Sequence, residues 1–138
     1  MVKLGNISLG FVFILIYAML IDQFLGFMDF AGHPWGITPQ MPTIQKIVFG
    51  CIVAAGWEEL VFRFAPLEIA KRLDGGFLIP IIIISSALFG WIHNGVGGIL
   101  IQGVMGAVFC WVYIKNGWSY WSSFALHSMW NMFCSWFL

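Results

Sequence analysis

The run IVFGCIVAAGWEELVFRF occupies residues 47–64, and its charged side chains are Glu58, Glu59 and Arg63. It belongs to a longer segment, residues 43–73, that follows a proline-containing loop. About 20 apolar residues in a helix cross the hydrocarbon core of a bilayer. Ionisable groups inside such a span are costly and usually functional. The run therefore predicts a membrane-spanning helix that carries part of a site.

The composition of the whole chain indicates that lipid is its main solvent. Of 138 residues, 61% are hydrophobic and 9% are charged, and the mean hydropathy is +0.93. Soluble domains carry about 25% charged residues. The formal net charge of +0 gives no reason to expect a nucleic-acid partner. Because lipid requires each span to satisfy its own backbone, and no strand alternation is long enough for a barrel, we expect an all-α multi-pass bundle.

Apolar segments predict about five spans. Pro66 is expected to kink the second span, and the glycine-rich link 94–98 joins the third to the fourth. No cleavage site follows the first segment, so we expect an uncleaved helix. The chain then forms one domain, with the first helix and its loop in residues 1–42 and the core that carries the site in residues 43–138. The spans are expected at residues 7–25, 43–73, 77–93, 98–115 and from residue 118 to the C-terminus.

The distribution of lysine and arginine predicts the orientation in the cell membrane. Cytoplasmic loops carry an excess of these residues. We therefore expect the N-terminus inside and the C-terminus outside. This choice places Lys3, Lys71, Arg72 and Lys115 on the cytoplasmic side and Lys46 outside.

The acidic pair of the second span has two different expected roles. Glu59 and Arg63 are four residues apart, with the acid first, which is the favourable orientation for a helical ion pair. Glu58 lies about 100° around the helix from Glu59, so it faces a different neighbour. A carboxylate without its own cation is a candidate general base. The competing interpretation is a merely hydrogen-bonded buried acid.

Two histidines and an asparagine complete the polar set of the apolar spans. His127 and Asn131 are four residues apart and share one helix face. An imidazole and a carboxamide that point the same way can donate two hydrogen bonds to one oxygen, as in an oxyanion hole. His93 ends a span beside a glycine turn, where water can reach it. Each histidine alone fits a packed core residue as well as a catalyst.

Three motifs together resemble the CPBP (CAAX-protease and bacteriocin-processing, or Abi) family of intramembrane proteases, related to the Ras-converting CAAX endopeptidase. The family pattern EExxxR matches Glu58-Glu59-Leu60-Val61-Phe62-Arg63, FxxxH matches Phe89-Gly90-Trp91-Ile92-His93, and HxxxN matches His127-Ser128-Met129-Trp130-Asn131. Each motif alone is weak, but all three occur in order in separate apolar spans. The resemblance covers roughly residues 45–135.

The resemblance implies an intramembrane endopeptidase. Glu58 and His93 would activate a water, while His127 and Asn131 would stabilise the oxyanion. No cofactor is expected. In the alternative, Glu58, His93 and His127 would be zinc ligands with an open position. The residue after the motif arginine, often glycine in the family, is Phe64 here, and we expect it to narrow the substrate groove.

In the same comparison, Glu59 and Arg63 would support the second helix. The expected partners are a membrane-associated peptide or protein substrate and the lipid bilayer. Two other functions remain open at this point. One is a non-catalytic membrane scaffold or immunity protein on the same fold, because fold does not imply activity. The other is a small proton-coupled transporter, which would predict an internal inverted repeat that the sequence lacks.

Overall fold

The computed structural model describes residues 2–25, 42–73 and 76–137, and within these ranges the regular structure is helical with no strand. The all-α prediction is therefore confirmed. The loop predicted before residue 42 lies outside the described residues. We number the helices α1 (Leu4–Leu25), α2 (43–72), α3 (78–93), α4 (96–115) and α5 (Tyr120–Phe137).

Helix α2 is irregular in two places. Hydrogen bonding of the π type runs over Ile47–Ala54 and again over Leu60–Phe64, and the α pattern returns between and after them. Pro66 has no N–H and its ring crowds the carbonyl four residues earlier. The wider turn of Leu60–Phe64 lies directly before it. The irregularity predicted at Pro66 thus lies in the preceding turn, and the helix continues to Arg72.

Helices α3 and α4 form a hairpin. The chain leaves helical geometry at Asn94 (φ −156°, ψ 43°) and Gly95 (φ 54°, ψ −133°), inside the link expected from the sequence. Positive φ suits glycine because it has no Cβ. A Cβ on Gly90 would clash with the carbonyl oxygen of Gly98 and lie 2.8 Å from the backbone nitrogen of Gly103. The two helices therefore meet backbone to backbone just before His93.

Helix α5 packs against α1, α2 and α4 and is tied to α2 by side chains that reach backbone carbonyls. Ser128 Oγ donates to the carbonyl of Cys51 at 2.6 Å, and Tyr120 donates to that of Gly56 at 2.9 Å. Cys51 lies inside the first π segment. The main core lies between α1, α3, α4 and α5. It contains Ile7, Ile14, Ala18, Phe89, Ile101, Met105, Phe109, Val112, Leu126 and Trp130.

The outer surface of the described helices is apolar along most of their length. Large hydrophobic side chains are exposed on every helix, including Leu4 (74%) and Ile79 (69%). Two segments are long and apolar enough to cross a membrane, within Leu4–Ile21 and Leu78–Lys115. The second of these contains the α3–α4 hairpin. The count of five spans stays a prediction.

Basic residues gather at one end of the bundle. The backbone N–H of Lys3 donates to Asn116 Oδ1 at 2.7 Å, next to Lys115. The ammonium group of Lys71 lies 5.3 Å from the centroid of the Trp118 ring. Lys3, Lys71 and Lys115 therefore lie near the same turn, which is the arrangement that the expected cytoplasmic side requires. The orientation itself stays a prediction.

Candidate active site

The two consecutive glutamates lie in the short α-helical stretch Ala55–Glu59, between the two π segments of α2. Both are buried, with 3% exposure for Glu58 and 0% for Glu59. Burying a carboxylate is costly unless it is paired or hydrogen-bonded. Both glutamates are paired with side chains that come from other helices or, for Glu59, also from the next turn of α2.

Glu58 lies between two histidines. Its Oε1 is 3.8 Å from Nε2 of His93 on α3, and its Oε2 is 3.3 Å from Nε2 of His127 on α5. Three of the candidate residues thus meet, although they come from three different helices. The structure brings together in this way the carboxylate and both imidazoles that the sequence analysis singled out.

Glu59 contacts the same histidine from the other side. Its Oε1 lies 2.8 Å from Nδ1 of His127 and 3.4 Å from Nε of Arg63. The pairing with Arg63 follows the expected four-residue spacing. The expectation that Glu58 faces a different neighbour from Glu59 agrees with His93 and Arg63, each of which contacts one acid, but not with His127, which both acids reach. His127 therefore bridges the two consecutive carboxylates through its two ring nitrogens.

The other ring nitrogen of His93 is also engaged. Nδ1 lies 2.7 Å from the backbone carbonyl oxygen of Phe89, one turn earlier on α3. A carbonyl oxygen only accepts, so Nδ1 carries the hydrogen and donates it. In the neutral ring, Nε2 is then a lone pair that faces Glu58. This contact fixes both the orientation and the tautomer of the histidine.

Arg63 is held by aromatic rings. Its side chain is fully buried, with the guanidinium carbon 3.9 Å from the ring centroid of Phe89 and 5.0 Å from that of Phe109. A guanidinium over an aromatic face is attracted by the ring quadrupole. Gly106 leaves the space, because a Cβ there would lie 3.0 Å from an Arg63 nitrogen.

The same two phenylalanines contact the histidines. The ring of Phe109 stacks on His127, with centroids 4.6 Å apart and planes at 20°, and Phe89 meets His93 edge-on with centroids 4.6 Å apart. Sequence reasoning did not find Phe109, which is one of many apolar residues in its helix. Phe89 could be found from the sequence, because it is the first residue of the FxxxH motif.

Asn131 lies one turn after His127 on α5, and its amide group bonds to a backbone carbonyl of α2. Its Nδ2 donates to the carbonyl oxygen of Gly50 at 2.9 Å. Gly50 lies in the first π segment of α2. An amide nitrogen carries two hydrogens, and this bond uses one of them. Asn131 therefore links α5 to α2 and keeps one hydrogen for another acceptor.

A groove of about 620 Å³ opens beside Glu58. It is mainly apolar and runs between α2 and α3. Two exposed tryptophans, Trp57 (61%) and Trp91 (55%), contribute to it. Phe64, which we expected to narrow such a groove, packs edge-on against Tyr120 instead and does not line it. The lining residues are Trp57, Glu58, Val61, Phe62, Trp91 and Ile92.

The donor atoms of the alternative zinc site lie close together. Glu58, His93 and His127 offer one carboxylate and two imidazoles, a ligand set known from catalytic zinc sites. Among the described residues, no group of three or more His, Cys, Asp or Glu side chains is placed to hold a metal ion. Cys51, Cys110 and Cys134 are free thiols.

A comparison with protein families matches residues 40–133 to the type II CAAX prenyl endopeptidase Rce1-like model. The chain belongs to the Rce1-like family. The matched range contains all three motifs, from Glu58 to Asn131, and confirms the resemblance to the CAAX proteases. Searches of curated proteins and of solved structures each returned no match.

The Rce1-like family is a family of proteases embedded in membranes, and it acts on membrane-associated prenylated peptides. Membership explains why an acid pair, two histidines and an asparagine occur in apolar helices of this chain. It also agrees with the two segments that are apolar enough to cross a membrane.

Proposed function

We propose that the protein is an intramembrane endopeptidase that hydrolyses peptide bonds of membrane-associated substrates. The observation that carries the proposal is the position of Glu58, which lines an open groove and faces one histidine with each carboxylate oxygen. A carboxylate and an imidazole that converge beside a cavity are suited to hold and deprotonate a water.

Glu58 is the general base of the proposed reaction. His93, oriented by its bond to the Phe89 carbonyl, turns the Nε2 lone pair toward the same space and helps to hold the water. As the water oxygen bonds to the scissile carbonyl carbon, its proton passes to Glu58. When the carbon–nitrogen bond breaks, Glu58 returns that proton to the leaving amine.

His127 and Asn131 stabilise the oxyanion of the tetrahedral intermediate. His127 donates through Nε2 when its ring carries both protons, with the positive charge balanced by the neighbouring Glu59. Asn131 donates the amide hydrogen that the Gly50 carbonyl does not use. One such donor is worth about 10²–10³ in rate.

The proposed reaction needs no cofactor. The alternative assigns Glu58, His93 and His127 to a zinc ion, which would supply Lewis-acid activation of water. Because both histidines bond through Nδ1, both turn Nε2 toward Glu58, which is the nitrogen a metal would use. We propose the metal-free assignment, and removal of metal tests it directly.

The groove favours a substrate with a large apolar group next to the scissile bond. Two tryptophans and three aliphatic or aromatic side chains accompany Glu58 in its lining. Family members act on prenylated peptides, and a prenyl chain has this apolar character. The bilayer is the second expected partner, because exposed apolar side chains surround the bundle.

The proposed arrangement in the cell membrane has five spans, with the N-terminus inside and the C-terminus outside. The basic end formed by Lys3, Lys71 and Lys115 supports this orientation. Accessibility of cysteines introduced at Ser119 and at Gly5, probed with a membrane-impermeant reagent in intact cells, tests it. Both positions belong to the basic end, so labelling of both from outside would reverse the orientation.

Cleavage by the purified protein tests the function. Liposomes that contain the full chain are mixed with an internally quenched farnesylated CAAX peptide, with the unmodified peptide as its matched control. We expect cleavage of the farnesylated peptide. If neither peptide is cut, and the peptide termini of cells with and without the protein are also identical, the chain is a scaffold and not an enzyme.

A further inference from the structure

Glu59 forms the shortest contact between two side chains of the candidate site. Its Oε1 lies 2.8 Å from Nδ1 of His127, shorter than the 3.4 Å to Arg63, the residue it was expected to serve. Glu59 is 0% exposed and His127 is 2% exposed, so neither side chain exchanges this contact for water. The bond joins α2 to α5 directly behind the face that Glu58 presents.

The chemistry of this contact fixes the histidine ring. A carboxylate only accepts, so Nδ1 of His127 carries a hydrogen and donates it to Glu59. Nε2 is then the nitrogen that faces Glu58 at 3.3 Å. The guanidinium of Arg63 offsets the negative charge on Glu59. Arg63 therefore contacts Glu59, Glu59 contacts His127, and His127 contacts Glu58, so a chain of side-chain contacts connects the buried cation to the proposed general base.

A second contact restricts the same ring. Phe109 stacks on His127 with planes at 20°, so the plane of the imidazole is set by the stack and its rotation within that plane by Glu59. A carboxylate that only neutralised Arg63 would not need to lie within 2.8 Å of an imidazole nitrogen from another helix.

We infer that Glu59 is a positioning residue that holds His127 with Nδ1 protonated and Nε2 turned toward Glu58. This role rests on the proposed function and deepens it: Glu59 does not touch the substrate but acts through His127. It differs from a purely structural role for the Glu59–Arg63 pair, because it predicts that the effects of changing Glu59 and His127 on turnover are not independent.

A double-mutant cycle tests this dependence, with the internally quenched farnesylated CAAX peptide as the probe. Because Glu59 is inferred to act only through His127, and one oxyanion donor is worth about 10²–10³ in rate, we expect Glu59→Gln to lower kcat by about 10²-fold to 10³-fold with little change in KM. In a His127→Ala background, Glu59→Gln should lower the residual kcat by less than about threefold, because residues that act as a unit are not additive. A full further loss in that background would mean that Glu59 acts independently of His127.

A second measurement needs no turnover and no variant at Glu59. The full chain is labelled with ¹⁵N-histidine, and the His127 signals are assigned by comparison with His33→Gln and His93→Gln variants. We expect a protonated Nδ1 on His127 in the wild-type protein. An unprotonated Nδ1 would overturn the inference even if the peptide is cleaved, and a protonated Nδ1 supports it even if this peptide is not cleaved.

Discussion

The Oε2 atom of Glu58 lies 3.3 Å from Nε2 of His127, so a carboxylate from α2 and an imidazole from α5 meet inside an apolar bundle. Neither group could be buried alone without a large desolvation cost. Their approach joins the first and last motifs of the sequence in one site. The second motif joins them through His93, on the other carboxylate oxygen.

Glu58→Gln should abolish turnover and leave substrate binding largely intact. The amide keeps the shape of the side chain but cannot accept the proton of the attacking water. Initial rates and peptide affinity in liposomes measure the two effects separately. Glu68→Gln is the matched control on the same helix, since Glu68 pairs with Lys71 and Tyr113 at the basic end. Full activity of Glu58→Gln would remove the protease assignment built on this residue.

Asn131→Ala should leave a residual rate, because one oxyanion donor contributes about 10²–10³ in kcat. The substitution also removes the bond to the Gly50 carbonyl. Ser128→Ala provides the control, since it removes a comparable bond from α5 to the Cys51 carbonyl without removing an oxyanion donor. Equal kcat values for the two variants would show that Asn131 acts only as a link between helices.

Arg63→Ala should destabilise the protein in detergent as well as inactivate it. Glu59 would lose its cation, and breaking a buried pair costs about 3–5 kcal/mol. Thermal unfolding followed by circular dichroism measures the loss. Arg72→Ala, at the exposed end of the same helix, should change the melting temperature little. A wild-type melting temperature for Arg63→Ala would contradict the buried pairing.

Gly90→Ala should lower stability although alanine is the better helix former by about 1 kcal/mol. Its Cβ would clash with the carbonyl oxygen of Gly98, and backbone atoms of α3 and α4 would have to separate. Gly5→Ala, where a Cβ would meet nothing within 4 Å, is expected to leave the melting temperature unchanged or higher. We therefore expect a lower melting temperature for Gly90→Ala than for Gly5→Ala. A higher melting temperature for Gly90→Ala than for the wild type would show that the two helices of the hairpin have more room than their contacts indicate.

Metal chelators should have little effect on peptide cleavage if Glu58 and His93 activate the water alone. Activity is measured after dialysis against a zinc chelator, and again after zinc is added back. Loss on chelation with recovery on zinc addition would make Glu58, His93 and His127 metal ligands. A soluble zinc peptidase treated in parallel verifies that the chelation is complete.

The sequence predicted the parts of this fold that depend on local chemistry. Apolar length predicted the helices, and the glycine-rich link predicted the break that occurs at Asn94 and Gly95. The cost of isolated ionisable groups in lipid predicted that Glu58 and His127 would have partners. A one-residue step around a regular helix predicted different directions for Glu58 and Glu59, and the side chains do approach His127 from different sides.

The sequence could not predict which side chain of another helix would meet each acid. Two π segments flank the glutamates, and each widened turn changes the angular relation between residues before and after it. Pro66 indicates an irregularity near the second of these turns, but no residue pattern indicates the first. The stacking of Phe109 on His127 depends on how α4 lies against α5, so it follows from packing and not from local spacing.

Three hydrogen bonds from α5 to the backbone carbonyls of Gly50, Cys51 and Gly56 affect the route by which a substrate can enter the site. They join α2 and α5 into one rigid half of the site, which carries Glu58 and His127. The groove lies between α2 and α3. We expect a substrate to enter between these two helices while the bonds from α5 to α2 stay intact. In the proposed mechanism the oxyanion-binding side is therefore assembled before the substrate binds, and we expect the distance from Glu58 to His93 to change when it does.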